Sequence, residues 1–502
     1  MIAPDTFEFL LGEFNVGTST AEKDPLLASA QIRTQEFSDL CYHDRIDIIR
    51  GIKGAGKTAL YRVFELLKES LAKEKRLFCI FGVEATGDPV FNHFKEDLDK
   101  FSPIEFENFW LIYFLVLIRK AIDKDRELAS QFNARDLDAL DKIWHRLDVP
   151  HETEDRGLFG LVEMVTKRLK KVEGGLEFKP DPTGLLSIQP KMSAEFAGAS
   201  AYSKKPIYVG DARESLCRMF KEKNLRIWIM LDRLDEVFPR RSRVEENGLK
   251  GLLRAAYNLS QSELRIKVFL RDDIIEQLGM SEEGFTALTH VTDRASPTMR
   301  WGKDNMLLLM VKRVFASPAI ATHYEVDQAK LDSNIAYREE CFYKVFPSHV
   351  AKSTTVDWIM SSCADGNDIV TPRDVIDLLN HAKSIEYKKF QVNKCEKEFL
   401  ISQESLKGAI EVLSREKRAK FLMPEFPNLR NSIQKLEGGY SIHNSETLQE
   451  LFGDGWQKIA DDLRAIGLLK HDPKKAQYKI PKVWLKGLGI TQGTQLSMKK
   501  KE

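Results

Sequence analysis

Short runs rich in apolar residues alternate along the chain with longer stretches in which apolar residues recur at helical spacing. The runs at 46–49, 76–83, 225–231 and 265–270 predict strands, and the continuously apolar run at 225–231 is of the kind buried in a parallel sheet. Helical spacing follows the first run and separates the third run from the fourth. This order of strands and helices predicts a doubly wound α/β core.

A helical stretch interrupts this order between the second predicted strand and the third. Helical spacing covers 94–122, 137–147 and 158–169, which predicts an insertion at about 84–205. Its last part, 174–203, is punctuated by Gly, Pro and Ser around short alternating runs. That pattern is compatible with either a hairpin or a mobile loop.

Helical spacing also dominates the chain after the core. A helix predicted at 447–463 is followed by two short strands, at 469–471 and 478–480, and this order is typical of a winged helix. We therefore expect four parts: a lead-in at 1–45, a core with its insertion at 46–304, a helical lid at 305–420 and a winged-helix-like domain at 421–502.

Composition narrows the class of protein. With 502 residues, 43% of them hydrophobic, the chain can build two or three domains. Lys+Arg 76 against Asp+Glu 75 leaves a charge of +1, so the overall balance does not indicate a nucleic-acid partner. Six cysteines without close pairs favour the reducing cytoplasm, and the ten histidines show no metal-binding spacing. The apolar run at 109–118 is too short to span a bilayer, so we expect a buried helix and no membrane partner.

A glycine-rich loop links the first predicted strand to the helix after it. Residues 51–58, GIKGAGKT, have the spacing of a phosphate-binding loop in the context that this motif requires. Positive φ at Gly51, Gly54 and Gly56 would turn backbone N–H groups toward phosphate oxygens. Lys57 would supply a compact positive charge, and the Thr58 hydroxyl would bind Mg²⁺. The expected nucleotide-binding residues are Gly51, Gly54, Ala55, Gly56, Lys57, Thr58 and Ala59.

The third predicted strand ends in an acidic turn. Asp232 directly follows the apolar run, and in this topology that strand end faces the phosphate loop. We therefore expect Asp232 to hold Mg²⁺ together with Thr58. Asp235 or Glu236 would orient or deprotonate the attacking water.

Two arginines are candidates for contacting the γ-phosphate. Arg271 ends the fourth predicted strand, where an ion pair with Asp272 or Asp273 is the alternative role. Arg373 follows Pro372, and a proline in a first turn predicts the start of a helix. Arg373 would then project from the helical lid toward the nucleotide.

Together these motifs resemble those of P-loop ATPases of the AAA+/STAND type. More narrowly, they resemble a bacterial family of P-loop ATPases often found in mobile-element or phage-defence loci. The resemblance is carried by 51–58, 232–236, Arg271, 372–373 and the lead-in at 14–24. It implies an α/β fold of the P-loop NTPase type: a parallel sheet core with a helical insertion, a helical lid and a C-terminal winged-helix-like module.

The resemblance also implies a role for each motif residue. These roles are Lys57 and Thr58 on phosphate and Mg²⁺, Asp232 on Mg²⁺, Glu236 or Asp235 in hydrolysis, Arg271 as a strand-end sensor and Arg373 as a lid sensor. Arg233 departs from the family pattern, which has a small residue there; it would pair with a neighbouring acid or contact a partner. AAA+ rings also use an arginine across subunits, for which the eligible residues are Arg240, Arg241, Arg294, Arg300 and Arg313.

The predicted C-terminal hairpin is basic. Its lysines are Lys470, Lys474, Lys475, Lys479, Lys482 and Lys486, with Asp472 the only nearby acid in the sequence. Such a surface neutralises phosphates without reading sequence. Packing between domains is the alternative role for this module.

The expected function is a slowly hydrolysing, Mg²⁺-dependent ATPase that acts as a molecular switch and forms a homo-oligomer. The chain carries no nuclease, deaminase or protease constellation, so a separate effector protein is expected, and the resemblance places the pair in phage defence. One alternative is a DNA-handling AAA+ motor or loader that uses the basic module. Another is a nucleotide-stabilised scaffold without turnover.

Overall fold

The computed structural model describes residues 1–82, 90–147, 158–163, 176–180, 186–190, 209–238, 242–280, 285 and 288–496. Contacts divide the chain into two units. The sheet unit comprises Gln35–Ile52 and Lys57–Met299. The terminal unit contains both ends of the chain and comprises Met1–Thr34, Lys53–Gly56 and Arg300–Glu502. The glycine loop thus contributes residues to both units.

The strands are β1 Ile48–Gly51, β2 Leu77–Gly82, β3 Leu176–Pro180, β4 Leu186–Pro190, β5 Arg226–Leu231, β6 Leu264–Arg271, β7 His349–Val350, β8 Ser353–Thr354, β9 Tyr440–His443, β10 Lys470–Asp472, β11 Gln477–Lys479 and β12 Thr491–Thr494. The longer helices of the sheet unit are Gln35–Cys41, Lys57–Lys75, Pro103–Lys124, Ala134–Leu147, Val209–Glu222, Arg243–Leu259 and Asp272–Gly279. Those of the terminal unit are Pro4–Glu13, Lys303–Val314, Ile335–Val345, Thr355–Cys363, Pro372–Val392, Gln403–Lys417, Arg430–Leu436, Ser445–Phe452 and Trp456–Ala465. Short helices occur at Lys95–Leu98, Arg126–Ala129, Leu234–Val237, Leu288–Val291, Pro318–His323, Gln328–Leu331, Met423–Glu425 and Lys482–Leu485.

Four parallel strands form the sheet of the sheet unit, in the order β1-β6-β5-β2. All but the first residue of β5 are buried, as continuous apolar strands must be when helices cover both faces. Gly51 lies opposite Arg271, and Leu231 lies opposite Val268. The carboxyl ends of β1, β6 and β5 therefore meet at one edge, and the predicted α/β fold is confirmed.

The insertion is built around the long helix Pro103–Lys124. This helix begins with a proline in its first turn and a Ser102–Glu105 capping box. The run 109–118 is buried throughout, as predicted. Within 174–203, the described strands β3 and β4 pair antiparallel. Of the helix predicted at 158–169, residues 158–163 are helical and the rest lies outside the described residues. Among the described helices, none combines the length and apolar character needed to cross a bilayer.

One apolar core joins the N-terminal helix Pro4–Glu13 to the helices of 303–417 in the terminal unit. Within 305–420, the ribbon of β7 and β8 interrupts the predicted all-helical pattern. The helix Gln403–Lys417 continues through a π-helical turn, Arg418–Leu422, into Met423–Glu425. At this turn the backbone N–H of Met423 donates to the carbonyl oxygen of Arg418, five residues earlier, which is the hydrogen bond of a π turn.

A second apolar core in the terminal unit, within residues 422–490, defines the C-terminal module. Its sheet has the order β10-β11-β9-β12, so the predicted hairpin is two strands of a four-stranded sheet. The single helix predicted at 447–463 is wrong, because the chain forms Ser445–Phe452 and Trp456–Ala465 instead. The break falls at Gly453, whose φ of +78° ends the first helix.

Candidate phosphate-binding site

The glycine loop runs from the end of β1 to the helix Lys57–Lys75. Gly54 and Gly56 have φ of +89° and +101°, which side-chain-bearing residues rarely adopt, so glycine is required at both. Gly51 is the last residue of β1 and is paired in the sheet, so the positive φ expected there is wrong. Ala55 is buried. Thr58 and Ala59 lie in the first turn of the helix, whose N-terminus favours an anion.

Lys57 is the buried cation of this loop. The residue is 8% exposed, and its Nζ donates to the carbonyl oxygens of Gly51 at 2.7 Å and Ile52 at 3.1 Å. Burial lowers the pKa of Lys57, whereas the charges of Asp232 and Asp235 act in the opposite direction. The lysine predicted to bind phosphate thus lies in the field of two acids from the turn after β5.

Asp232 follows β5 and is 5% exposed. The Thr58 hydroxyl and the backbone N–H of Arg233 donate to its carboxylate. Its Oδ2 is buried and has no hydrogen-bond partner among the described residues. Burial raises the pKa of Asp232 to about 6, although the hydrogen bond from Thr58 lowers it. An orphaned carboxylate oxygen beside a threonine hydroxyl is a donor set that fits Mg²⁺.

The acidic turn begins at Arg233, which has a φ of +58° and precedes the short helix Leu234–Val237. Arg233 Nη1 lies 3.7 Å from Glu236 Oε2, so this arginine pairs with a neighbouring acid, one of its two expected roles. Asp235 Oδ2 accepts a hydrogen bond from Arg271 Nη1 at 3.0 Å. The Glu236 side chain is 43% exposed, compared with 23% for Asp235.

Arg271 lies between two carboxylates. Besides Asp235, it donates to both oxygens of Asp273, at 2.9 and 2.7 Å. Asp272, the other predicted ion-pair partner, instead accepts from Arg50 Nε at 3.0 Å and Thr298 Oγ1 at 3.1 Å. Sequence reasoning missed Arg50 as the partner of Asp272, because their proximity follows only from the register of β1 and β6.

The loop tip, Lys53–Gly56, belongs to the terminal unit. A Cβ on Gly54 would lie 3.3 Å from both Thr371 Oγ1 and Arg373 Cβ. Thr371 caps the helix Pro372–Val392 by accepting from the N–H of Asp374, as the proline in its first turn predicts. Within the terminal unit, the predicted lid arginine therefore lies next to the loop tip. Within the described parts of the chain, the Arg373 guanidinium forms no ion pair.

Two further side chains of the terminal unit hold the loop tip, and the sequence did not reveal either. Trp301 Nε1 donates to the carbonyl oxygen of Ala55 at 2.8 Å. Glu425 forms an ion pair with Lys53. Neither Trp301 nor Glu425 lies in a motif, so no local signal could have identified them.

The structure reduces the set of arginines eligible to act across subunits. Arg313 is 5% exposed and bound to Asp24 and the Val16 carbonyl. Arg294 is held by Asp47 at 2.6 Å. Arg300 is exposed, whereas the predicted candidates at 240 and 241 lie outside the described residues.

The C-terminal lysines fall into two groups. Lys470 pairs with Asp368, and Lys486 Nζ lies 3.1 Å from Glu411 Oε1. Asp472 is the only acid near these lysines in the sequence, but the fold brings Asp368 and Glu411 to two of them from distant segments. The lysines that form no ion pair within the described parts of the chain are Lys474, Lys475, Lys479 and Lys482.

A glycine loop between a strand and a helix, with an acid after another strand of the same parallel sheet, defines the P-loop class of α/β folds.

No family model and no curated protein matches the chain. Among solved structures, it is similar to the Aeropyrum pernix ORC2 protein in ADPNP–ADP complexes, with 12% identity over 91% of this chain and 95% of that chain and a TM-score of 0.29. The ADP form of ORC2 gives 12% identity, 90% of both chains and a TM-score of 0.33. The A. pernix ORC1 protein in complex with DNA gives 12% identity, 87% of this chain, 83% of that chain and a TM-score of 0.30. Because these likenesses are remote, the fold class rests on the sheet and loop of the chain itself.

Proposed function

We propose that the protein is a slowly hydrolysing, Mg²⁺-dependent ATPase of the AAA+ type. The observation that carries the proposal is the buried Lys57 together with Thr58 and Asp232, whose Oδ2 has no partner among the described residues. The loop and Lys57 would bind phosphates, and Thr58 and Asp232 would hold Mg²⁺. The ion would supply positive charge against the phosphate oxygens.

Hydrolysis needs an acid to position water and cations to meet the developing charge. We assign Glu236 to the water, because its side chain is 43% exposed, whereas that of Asp235 is 23% exposed and accepts a hydrogen bond from Arg271 at 3.0 Å. Arg271 would act at the phosphate while held by Asp235 and Asp273. Arg373, next to Gly54, would contact the γ-phosphate.

The test is calorimetric titration of the full chain with ATPγS, ADP and GTP in the presence of Mg²⁺. Lys57→Ala should weaken ATPγS binding by at least about 100-fold, since it removes the charge-assisted contact to phosphate. Lys142→Ala, at a surface ion pair with Asp138, is the matched control and should bind as wild type. Equal affinity of wild type and Lys57→Ala for ATPγS would refute the site. Tighter binding of GTP than of ATPγS would refute the proposal that the protein is specific for adenine nucleotides.

We further propose that the ATPase is a switch that assembles into a homo-oligomer and works with a separate effector in phage defence. The proposed domains are 1–45, 46–304, 305–420 and 421–502. Light scattering after size-exclusion chromatography tests the assembly. Glu236→Ala with ATP and Mg²⁺ should trap the oligomer, and Arg300→Ala should prevent it. A monomer under all these conditions would refute the switch.

A second candidate function is DNA handling, favoured by the four lysines of the C-terminal module that form no ion pair within the described residues. Neutralising about three phosphates would give a log–log salt slope of about −3 for duplex binding. The triple variant Lys474→Gln/Lys475→Gln/Lys479→Gln should flatten that slope. Lys486→Gln, which breaks a pair with Glu411, is the control. Binding unaffected by the triple variant would exclude this surface.

A further inference from the structure

Lys53 is the second cation of the glycine loop, and the ATPase proposed above does not use it. Its ammonium pairs with Glu425, whose side chain is 5% exposed, whereas that of Lys53 is 31% exposed. Lys53 Nζ also lies 6.0 Å from the centroid of the Phe421 ring. Removing one partner of a largely buried ion pair leaves an uncompensated charge, so the pair ties the loop tip to the segment around Glu425.

A second set of contacts runs from the loop tip to the helix Gln403–Lys417, just before the π-helical turn Arg418–Leu422. A Cβ on Gly54 would lie 3.3 Å from Thr371 Oγ1, which donates to Asp374 Oδ2 at 2.8 Å. The same carboxylate oxygen accepts from Lys417 Nζ at 2.5 Å. Lys417 is the last α-helical residue before the π turn Arg418–Leu422.

The π turn is thus flanked by two links to adjacent loop residues. On one side, Lys417 and Thr371 both donate to Asp374, and Thr371 lies next to Gly54. On the other side, Glu425 forms an ion pair with Lys53. A π-helical turn in a longer helix frequently marks a functional site.

We propose that Lys53 is a second phosphate-binding cation that exchanges the Glu425 carboxylate for a nucleotide phosphate. Lys53 directly precedes Gly54 in the loop, and a triphosphate carries more negative charge than one carboxylate, so the two anions compete for this ammonium. Nucleotide binding then releases Glu425 and loosens the end of the π-containing helix. This proposal rests on nucleotide binding by the loop, as proposed above.

The exchange makes Glu425 a competitor of the nucleotide. While Lys53 is paired with Glu425, it is not available to a phosphate, so the apparent affinity for nucleotide falls with the fraction of molecules in which the pair is formed. Removing the Glu425 carboxylate should therefore strengthen nucleotide binding. Glu425→Gln should tighten ATPγS binding by about tenfold, which is about 1.4 kcal/mol. Lys53→Gln should weaken it by about tenfold, and Glu425→Gln should then have no further effect. Glu437→Gln, which breaks the pair with Arg418 in the same module, is the control and should change affinity less than about twofold.

The charge swap Lys53→Glu/Glu425→Lys separates partner exchange from a purely structural pair. It should recover the thermal stability lost in Lys53→Glu, because the ion pair is rebuilt, but it should not recover the affinity for ATPγS. Hydrogen exchange supplies a second readout. ATPγS should speed exchange at 418–425 severalfold in wild type and not in Lys53→Gln.

The possible outcomes are decisive. Unchanged or weaker binding by Glu425→Gln, or additive effects in the double variant, would overturn the exchange while Lys57→Ala still tests the phosphate site. A wild type that does not bind ATPγS would refute the ATPase and the exchange together. A charge-swapped variant with wild-type affinity would reduce the pair to a structural contact.

Discussion

Asp232 should make the stability of the protein depend on pH in a way that an amide variant removes. Burial raises the pKa of this carboxyl to about 6, against an ordinary value of 3.8. At 1.36 kcal/mol per unit of pKa, the difference corresponds to about 3 kcal/mol. Because the folded value is the higher one, this contribution favours folding fully below pH 3.8, is lost as the pH rises to about 6 and stays absent above that.

Urea unfolding of wild type and Asp232→Asn between about pH 4 and about pH 8, without Mg²⁺, measures this contribution. The amide changes local hydrogen bonding by an amount that does not depend on pH, so only the trend in the difference matters. The free energy of unfolding of Asp232→Asn relative to wild type should rise by about 2.5 kcal/mol across this range, because a small part of the effect is already lost at pH 4. Asp461→Asn, at a carboxylate that is 68% exposed, is the matched surface control.

Mg²⁺ with ATP should suppress the effect in wild type, because a bound cation favours the ionised carboxylate and lowers its pKa. The variant, which lacks that carboxylate, should respond less to Mg²⁺. A free-energy difference that stays constant with pH would refute the description of Asp232 as a stranded, buried acid.

Three other substitutions test the surroundings of the loop. Gly54→Ala forces a Cβ at a φ of +89° and should lower stability by about 1 kcal/mol and ATPγS affinity by at least tenfold; unaltered binding would contradict the geometry. Trp301→Phe removes an indole donor to the loop and should cost about 1 kcal/mol in thermal unfolding. Arg313→Met strands the buried carboxylate of Asp24 and should cost about 3–5 kcal/mol; failure of Asp24→Asn to recover stability in the double variant would argue against the ion pair as the cause.

The sheet and the phosphate loop were predictable because both are written in short, contiguous stretches. β5 was expected at 225–231 and is Arg226–Leu231, since a strand buried on both faces must be apolar throughout. Lys57, Thr58 and the acid after β5 follow from fixed spacing and from strand ends that share an edge. Gly453 was harder to interpret, because a lone glycine in a helical pattern is often tolerated.

The remaining features depend on tertiary contacts. Trp301 and Ala55 are 246 residues apart, and Lys53 and Glu425 are 372 apart. No periodicity or motif relates positions so distant, and each residue alone looks like an ordinary helix or loop residue. For the same reason, the acids that pair with Lys470 and Lys486 were invisible in the sequence around the hairpin.

The π turn at Arg418–Leu422 gives this helix a choice of register. If the same residues adopted α geometry, every later residue would turn by about 100° and shift by about 1.5 Å along the axis, which would carry Glu425 away from Lys53. Deleting one residue from the turn would instead allow α geometry with Glu425 left in place. A homologue that is one residue shorter in this turn should therefore keep the ion pair with Lys53. It should lose the ability to change between the π and α registers.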